Sequence, residues 1–406
     1  MSVSLIENLA VQNEQKILLV VLDGLGGLPK AGKTELEAAW TPNLDRLAAA
    51  SGLGLLVPVA PGVTPGSGPA HLALFGYDPV EFQVGRGVLE ALGVGLSPGP
   101  HDLCARANFC TVDAEGKLIS RRAVSEGRRL TTEECVQLCT SLSRVASGIE
   151  DVEVVVRPGK EHRFVVMFSG AGLAAELSDS DPGHEGVAAE GIRPLTEGAV
   201  KAARIANEFV RLCRAELSTR ERANSVLLRG WAFPPVLATL RERYKLSAAC
   251  IAAYPMYRGL ARLVGMDVLE CDETWDDEIE QIRLNRSRYD FFFIHLKEFD
   301  KAGEDGDFDR KVELIERFDG DILPQLVDLD MDVLCITGDH STPAVMGGHS
   351  WHSVPFLLHS RYVRPQVQVD QFAERACARG SLGRIAAKDL MALLLAHSLK
   401  LTKFGA

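Results

Sequence analysis

The sequence predicts an α/β protein whose core is a mostly parallel sheet flanked by helices, with a smaller α+β insertion. Residues 16–22 and 289–296 are apolar runs rich in Val, Ile, Leu and Phe, which is typical of strands buried on both faces of a parallel sheet. Helical patterns alternate with such runs after residue 235. Between residues 106 and 190 short alternating strands are separated by turn residues, which indicates an antiparallel sheet.

Composition limits the classes of partner. The chain has 406 residues, of which 46% are hydrophobic, so it is long enough for two domains. The net charge is −11 and no basic run occurs, so we expect neither a nucleic-acid nor an anionic membrane partner, and an anionic substrate would need local arginines. The nine cysteines are scattered and form no paired C-x-x-C, and we find no signal peptide, so we expect a cytoplasmic protein. Because no long apolar stretch occurs, we also expect that the protein does not span a membrane.

The first strand ends in an aspartate that has two interpretations. The apolar run 16–22 leads directly into Asp23 and then Gly24. The third glycine of a dinucleotide fingerprint would fall on Pro29, so we expect no nucleotide cofactor here. A strand-end aspartate is a common metal ligand in α/β enzymes, but it is also a common turn former.

A serine lies in a glycine-rich loop after the next strand. Thr41 and Pro42 predict the start of a helix, a strand follows at 54–59, and Gly66 and Gly68 then flank Ser67 before a further helical pattern. Small neighbours and a helix N-terminus allow a phosphate to approach this hydroxyl closely. A capping serine in a Gly/Pro loop is an equally good interpretation of the pattern.

Two later strand ends carry acidic residues and histidines. The strand at 289–296 leads into an acidic segment, predicted as a loop, and the strand at 333–336 delivers Asp339 and His340, with His349 after a short loop. Like charges at the density of the acidic segment repel one another unless a cation or arginines neutralise them. The acidic residues of that segment are Asp300, Glu304, Asp305, Asp307 and Asp309.

These strand-end loops together predict a two-metal site around a hydroxyl nucleophile. Carboxylates and imidazoles at the carboxyl ends of separate strands can hold two divalent cations beside Ser67. The reaction class is phosphoryl transfer through a phosphoserine. The insertion contains several arginines, each of which alone would be interpreted as a solvated strand residue. An acidic turn follows them at 178–182. The arginines are Arg106, Arg121, Arg122, Arg157 and Arg163.

Several segments resemble a known family, in that family's order along almost the whole chain. They include VLDGLGG at 21–27, PGSGPAHLALFGYDP at 65–79, YRGLARLVGMDV at 257–268, KEFDKAGEDGDF at 297–308, and TGDHSTP with HSWHSVP at 337–355. On these segments the chain is similar to the archaeal-type 2,3-bisphosphoglycerate-independent phosphoglycerate mutases of the alkaline phosphatase superfamily. The resemblance implies interconversion of 3-phosphoglycerate and 2-phosphoglycerate, without bisphosphoglycerate and without a nucleotide.

The resemblance also implies roles for particular residues. Ser67 would be the phosphorylated nucleophile and also a metal ligand. The chain is also compatible with a homo-oligomer. An alkaline-phosphatase-like core would comprise residues 1–103 and 191–406, with residues 104–190 as a substrate lid. One metal would be held by Asp23, Asp339 and His340, and the other by Asp300, Glu304 and His349. The small phosphorylated hydroxy-acid substrate would be bound by Arg106, Arg122, Arg163, Asp179, Asp181 and Arg258.

Three departures from the family pattern leave an alternative open. Gly68 and Pro69 replace a carboxylate and a hydroxyl, Glu304 replaces a histidine, and Arg258 replaces a lysine. The extra carboxylate favours Mn²⁺ or Mg²⁺, with Zn²⁺ still compatible. A related phosphotransferase acting on another small hydroxy or amino acid, such as homoserine, is the alternative function. A module that has lost its metals is a third hypothesis, against which the retained site residues argue.

Overall fold

The computed structural model describes residues 3–123, 128–272, 274–365, 369 and 371–405. The chain divides into two compact units. The first unit comprises Met1–Gln83 and Leu237–Ala406, and the second comprises Val84–Val236. The second unit is wider than the predicted insertion at 104–190, since it extends that insertion at both ends.

The helices and strands follow one another in three blocks. The first block contains α1 (Val3–Leu9), β1 (Ile17–Leu22), α2 (Glu35–Ala38), α3 (Pro42–Ala49), β2 (Gly52–Val57) and α4 (Ser67–Leu74). The second unit contains α5 (Arg86–Gly93), β3 (Asp102–Val112), β4 (Leu118–Ser120), α6 (Thr132–Val145), β5 (Gly148–Ile149), β6 (Val152–Pro158), β7 (Arg163–Ser169), α7 (Val200–Leu217) and β8 (Ser225–Ala232). The third block contains α8 (Leu240–Tyr244), β9 (Ala248–Ala252), α9 (Pro255–Leu263), β10 (Asp267–Val268), α10 (Trp275–Asn285), β11 (Phe291–Leu296), α11 (Glu298–Glu304), α12 (Phe308–Arg317), α13 (Leu323–Val327), β12 (Val333–Thr337), β13 (Val354–Ser360), α14 (Glu374–Cys377), β14 (Gly383–Ala386) and α15 (Leu390–His397).

An eight-stranded, mostly parallel sheet forms the core of the first unit. Its order is β10-β9-β11-β1-β12-β13-β2-β14, and only β13 runs antiparallel to its neighbours. Every residue of β1, β9, β11 and β12 is buried, because helices α3, α9, α10, α11 and α15 pack on these central strands and on β13. The predicted α/β class is confirmed, since continuous apolar runs are what strands covered on both faces require.

Two segments differ from the predicted elements. The acidic segment after β11 is helical over Glu298–Glu304 rather than a loop, so Asp300 and Glu304 lie one turn apart on the same helix. The helix expected from residue 235 begins only at Leu240, because Thr239 forms a capping box with Glu242 that fixes the first turn there.

The second unit is built on an antiparallel sheet in the order β4-β3-β7-β6-β5, with β8 also paired to β3. Helices α6 and α7 pack against this sheet and against each other. Residues 191–236 supply α7 and β8, and β8 pairs with β3 along most of its length. The pairing of β8 with β3 places residues 191–236 in the second unit. The end of the short alternating strands at residue 190 of the sequence does not reveal this.

Two further features bear on the predictions from composition. Within the described part of the chain, we find no helix that has both the length and the apolar character needed to cross a bilayer. All nine cysteines are free thiols, and eight of them are buried.

Candidate metal centre

Three adjacent parallel strands bring the predicted ligands together. The register pairs Leu22 of β1 with Leu296 of β11, and Val21 of β1 with Thr337 of β12. The three strands therefore end at the same level, and the residues that follow them emerge side by side at the carboxyl edge of the sheet. Asp23 directly follows β1, Asp300 lies in the first turn of α11, and Asp339 follows β12 after one glycine.

One compact ligand group consists of Asp23, Asp339 and His340. Ligand atoms of these three buried residues all lie within 4.8 Å of one another. His340 Nε2 is 3.1 Å from Asp339 Oδ2 and 3.4 Å from Asp23 Oδ1. This is the set that the family resemblance implies for one metal.

A second group consists of Asp300, His340 and His349. His349 Nε2 lies 3.5 Å from Asp300 Oδ1, and the His349 ring stacks on that of His340 with centroids 3.7 Å apart. Glu304 Oε1 is 3.8 Å from His349 Nε2, while the Glu304 side chain is 53% exposed. Glu304 thus faces the group from its solvent side and lies outside its compact set of ligand atoms.

Ser67 lies beside the first group, at the start of α4. Its Oγ is 3.2 Å from His340 Nε2. Gly66 is the N-cap residue of α4, so the Ser67 hydroxyl lies in the first turn of that helix. The helix N-terminus favours an anion at this position.

The carboxylates of this centre are crowded in a way that fits a bound cation. Burial and the charge of Asp23 raise the pKa of Asp339 well above its usual value. Burial would also raise the pKa of Asp23, but His295, Lys297 and His340 together hold it well below its usual value. Asp23 Oδ1 and Asp339 Oδ2 are buried and accept no hydrogen bond from the described residues. Two such carboxylates need a cation between them to be tolerated ionised.

His340 is a neutral imidazole at physiological pH. Burial lowers its pKa to about 3, although the charge of Asp23 acts in the opposite direction. A neutral ring presents a lone pair to a metal, so the donor set of carboxylates and imidazole is ready for a divalent cation.

Four residues at this centre escaped the sequence prediction. Lys297 Nζ lies 3.0 Å from Asp23 Oδ2 and also pairs with Asp300, so it offsets part of the negative charge. Burial acts to lower the pKa of Lys297, but these two carboxylates outweigh it and raise the pKa. Its only signal was its place at the end of β11, in the motif that carries Asp300.

The other three form a buried aromatic layer. The Tyr257 hydroxyl donates to Asp23 Oδ2 at 2.6 Å, and the Tyr257 ring stacks on His295 with centroids 3.6 Å apart. His71 Nδ1 lies 2.8 Å from the Ser67 carbonyl oxygen and 3.3 Å from Asp339 Oδ2. Single histidines in apolar segments read as ordinary core residues, so only their position in three dimensions indicates a role.

The second unit carries a cationic cluster that includes several predicted substrate residues. Arg106 is buried, and burial lowers its pKa to about 10; Glu90 opposes this shift, while Arg163, Arg229 and Arg86 add to it. The sequence analysis does not single out Arg229 and Arg86. The Nε atoms of Arg106 and Arg229 are buried and find no acceptor among the described residues.

The remaining predicted substrate residues have different surroundings. Arg122 is exposed. Burial lowers the pKa of His162 to about 3, and the charges of Arg163 and Arg122 act in the same direction. Asp181 forms a two-point ion pair with Arg121, and Asp179 accepts a hydrogen bond from the Gly230 amide at 3.0 Å. In the first unit, Arg258 pairs with Glu270, whereas its neighbour Tyr257 contacts Asp23.

Comparisons with known proteins show the family of this chain. The family model of the metalloenzyme superfamily matches residues 15–397, and the chain belongs to that superfamily. It is 50% identical over 404 residues to a probable 2,3-bisphosphoglycerate-independent phosphoglycerate mutase of Thermotoga neapolitana, covering 99% of this chain and 98% of the relative. A protein of the same name from Thermus thermophilus is 48% identical over 406 residues, covering 99% of this chain and 98% of the relative. The chain belongs to the family of 2,3-bisphosphoglycerate-independent phosphoglycerate mutases, as its motifs indicate.

Two solved structures share the fold. The PH0037 protein from Pyrococcus horikoshii is 32% identical with a TM-score of 0.80, covering 97% of this chain and 99% of that one. The cofactor-independent phosphoglycerate mutase from Thermoplasma acidophilum is 28% identical with a TM-score of 0.69, covering 95% of this chain and 100% of that one.

Proposed function

We propose that this protein interconverts 3-phosphoglycerate and 2-phosphoglycerate without 2,3-bisphosphoglycerate, through a phosphoserine at Ser67. The observation that supports this most is the 3.2 Å contact between Ser67 Oγ and His340 Nε2, beside two buried carboxylates, Asp23 and Asp339, that each have one oxygen without a hydrogen-bond donor among the described residues. A hydroxyl at a helix N-terminus beside such a group is arranged for phosphoryl transfer. The names of the close relatives point to the same reaction.

Two divalent cations fit the ligand groups. Asp23, Asp339 and His340 would hold one, while Asp300 and His349 would hold the other with Glu304 on its solvent side. Bound cations would neutralise the phosphoryl oxygens and lower the pKa of the attacking hydroxyl. The excess of carboxylates over imidazoles favours Mn²⁺ or Mg²⁺, and Zn²⁺ is compatible.

The transfer itself needs two displacements at phosphorus. Ser67 Oγ attacks, its bond to phosphorus forms as the bond to the glycerate oxygen breaks, and the departing oxygen takes up the proton that Ser67 gives up. The other glycerate hydroxyl then attacks the phosphoserine and returns its proton to Ser67. His71 contributes by contacting the Ser67 carbonyl oxygen, which fixes the first turn of α4. Lys297 offsets negative charge beside Asp23.

We further propose that arginines of the second unit bind the carboxylate and phosphate of the substrate. The unpartnered Nε atoms of Arg106 and Arg229 offer buried donors, and Arg163 and Arg122 add positive charge nearby. A bidentate guanidinium is the side chain best shaped for both anions. Asp179 or Asp181 would contact the hydroxyls of the substrate, and Arg258 remains a proposed substrate residue.

Replacing Arg122 by Ala should raise KM by at least about tenfold and leave metal content unchanged, because a charge-assisted contact to the substrate is lost. Initial rates over a range of 3-phosphoglycerate concentrations measure this effect. Arg211→Ala is the matched control, since Arg211 is an exposed arginine of the same unit that pairs with Glu208. An unchanged KM in Arg122→Ala would remove Arg122 from the substrate site.

Replacing Glu304 by Gln should weaken binding of one of two metals by about tenfold, because a carboxylate facing His349 is neutralised. Glu304→His should restore binding and shift the preference toward Zn²⁺. Competition titration with a chromophoric chelator measures both variants. If Glu304→Gln bound both metals as the unchanged protein does, Glu304 would be a surface residue only.

We also propose that the protein works in the cytoplasm. Its nine thiols are all free, which suits a reducing compartment. The substrate is a small phosphorylated hydroxy acid, and a homo-oligomeric state stays a prediction.

An assay coupled to enolase tests the proposed function. With 3-phosphoglycerate and Mn²⁺, we expect turnover that does not depend on added bisphosphoglycerate and that a chelator abolishes. The absence of turnover with Mn²⁺, Mg²⁺ or Zn²⁺ would contradict the proposal and favour transfer to another small hydroxy or amino acid.

A further inference from the structure

A threonine that belongs to neither ligand group lies between them. Thr342 is fully buried, and its hydroxyl donates to Asp300 Oδ1 at 2.7 Å. The same oxygen is 3.0 Å from His340 Nδ1. The hydroxyl therefore joins an aspartate of one group to the histidine that both groups share.

The number of hydrogens on this hydroxyl determines the tautomer of His340. A threonine hydroxyl has one hydrogen, so when it donates to Asp300 it can only accept from His340. Nδ1 of His340 then carries the ring proton, and Nε2 keeps its lone pair. Nε2 is the atom that lies 3.1 Å from Asp339 Oδ2 and 3.2 Å from Ser67 Oγ, so the lone pair faces the first ligand group.

The backbone of Thr342 is held by a buried lysine. Lys311 is completely buried, and its Nζ donates to the carbonyl oxygens of Thr342, Gly24 and Gly26 at 2.9, 2.8 and 3.3 Å. The Thr342 amide donates to the same two glycine carbonyls, at 3.2 and 3.1 Å. A Cβ at Gly303 would collide with the Thr342 carbonyl oxygen. The hydroxyl is thus fixed relative to the loop after β1 and to α11.

We propose that Thr342 is a positioning residue that couples the two metal sites, by fixing the tautomer of His340 and the orientation of the Asp300 carboxylate. Partners of metal ligands act in this way in many metalloenzymes, because the hydrogen bond to one ring nitrogen orients the other. The inference rests on the proposed function only for its kinetic consequence. Its consequence for metal binding stands on the ligand geometry alone.

Replacing Thr342 by Val keeps the shape of the side chain but removes both contacts of the hydroxyl. We expect the metal affinity of metal-free protein, measured by chelator competition without substrate, to fall by about 10- to 100-fold. Thr342→Ser should restore most of this loss. In the coupled assay, Thr342→Val should lower kcat with little change in KM, because the substrate contacts remain.

Thr41→Val is the matched control. Thr41 is also buried in the first unit, and its hydroxyl donates to an aspartate, Asp45, at 3.3 Å. It should lose comparable stability on thermal unfolding and keep its metal affinity and kcat. Metal affinity in Thr342→Val equal to that of Thr41→Val, or no recovery in Thr342→Ser, would overturn the proposal.

A measurement on the unmodified protein covers the case in which Thr342→Val does not fold. In ¹⁵N spectra of histidine-labelled, metal-free protein, with His340 assigned by its loss in His340→Gln, we expect Nδ1 protonated and Nε2 unprotonated. The opposite tautomer would overturn the proposal. Because neither metal titration nor these spectra involve phosphoglycerate, a failure of the proposed mutase activity would be seen separately.

Discussion

Ser67→Ala should abolish mutase activity, lowering kcat by at least about 1000-fold, because Ser67 is the one hydroxyl proposed to accept the phosphoryl group. Fold and metal content should be nearly unchanged. Ser67 is partly exposed and its hydroxyl adds little to packing, so the free energy of unfolding of the protein should shift by no more than about 0.5 kcal/mol. The coupled assay and chemical denaturation measure the two effects.

Thr64→Ala is the control for this variant, since it removes an exposed hydroxyl from the same loop. It should retain full activity. More than trace activity in Ser67→Ala would mean that Ser67 is at most a metal ligand, and the phosphoserine mechanism would be wrong.

Asp300→Asn should remove the metal of the second group and lower kcat by at least about 100-fold, because the buried carboxylate is the only anionic ligand in the compact set of that group. Metal analysis after gel filtration should show the loss, and excess Mn²⁺ should restore part of the rate. Asp305→Asn, an exposed acid of the same acidic segment, is the control and should behave as the unchanged protein. Full metal content in Asp300→Asn would contradict the second ligand group.

The strand ends of the first unit could be predicted because each central strand is a continuous apolar run that stops at a polar residue. The pairing of Leu22 with Leu296 then explains why Asp23 and the residues after β11 meet. The prediction of a loop for the acidic segment is wrong, because its density of charge hides the helix Glu298–Glu304. Acidic residues in the first turn of a helix are favoured by the helix dipole, which makes such a segment compatible with a helix.

The supporting residues could not be predicted because no periodicity marks them. Thr342, Tyr257 and Lys311 come from three different segments, and each contacts the ligand region through one or two atoms. A fully buried lysine looks like an exposed helix residue in sequence, and only the carbonyl oxygens around its Nζ explain its burial. The C-terminal boundary of the second unit could not be predicted for a related reason. Strand β8 belongs to this unit because it pairs with β3, and composition does not indicate that pairing.

Trapping of the phosphorylated protein shows whether Ser67 carries the phosphoryl group during turnover. Protein turning over 3-phosphoglycerate with Mn²⁺ is quenched in acid within milliseconds, digested and analysed by mass spectrometry. We predict a phosphate on Ser67 that appears at least as fast as 2-phosphoglycerate and is absent when substrate is omitted. Full turnover without phosphate on Ser67, or with phosphate on another residue of the chain, would contradict transfer through a phosphoserine at Ser67.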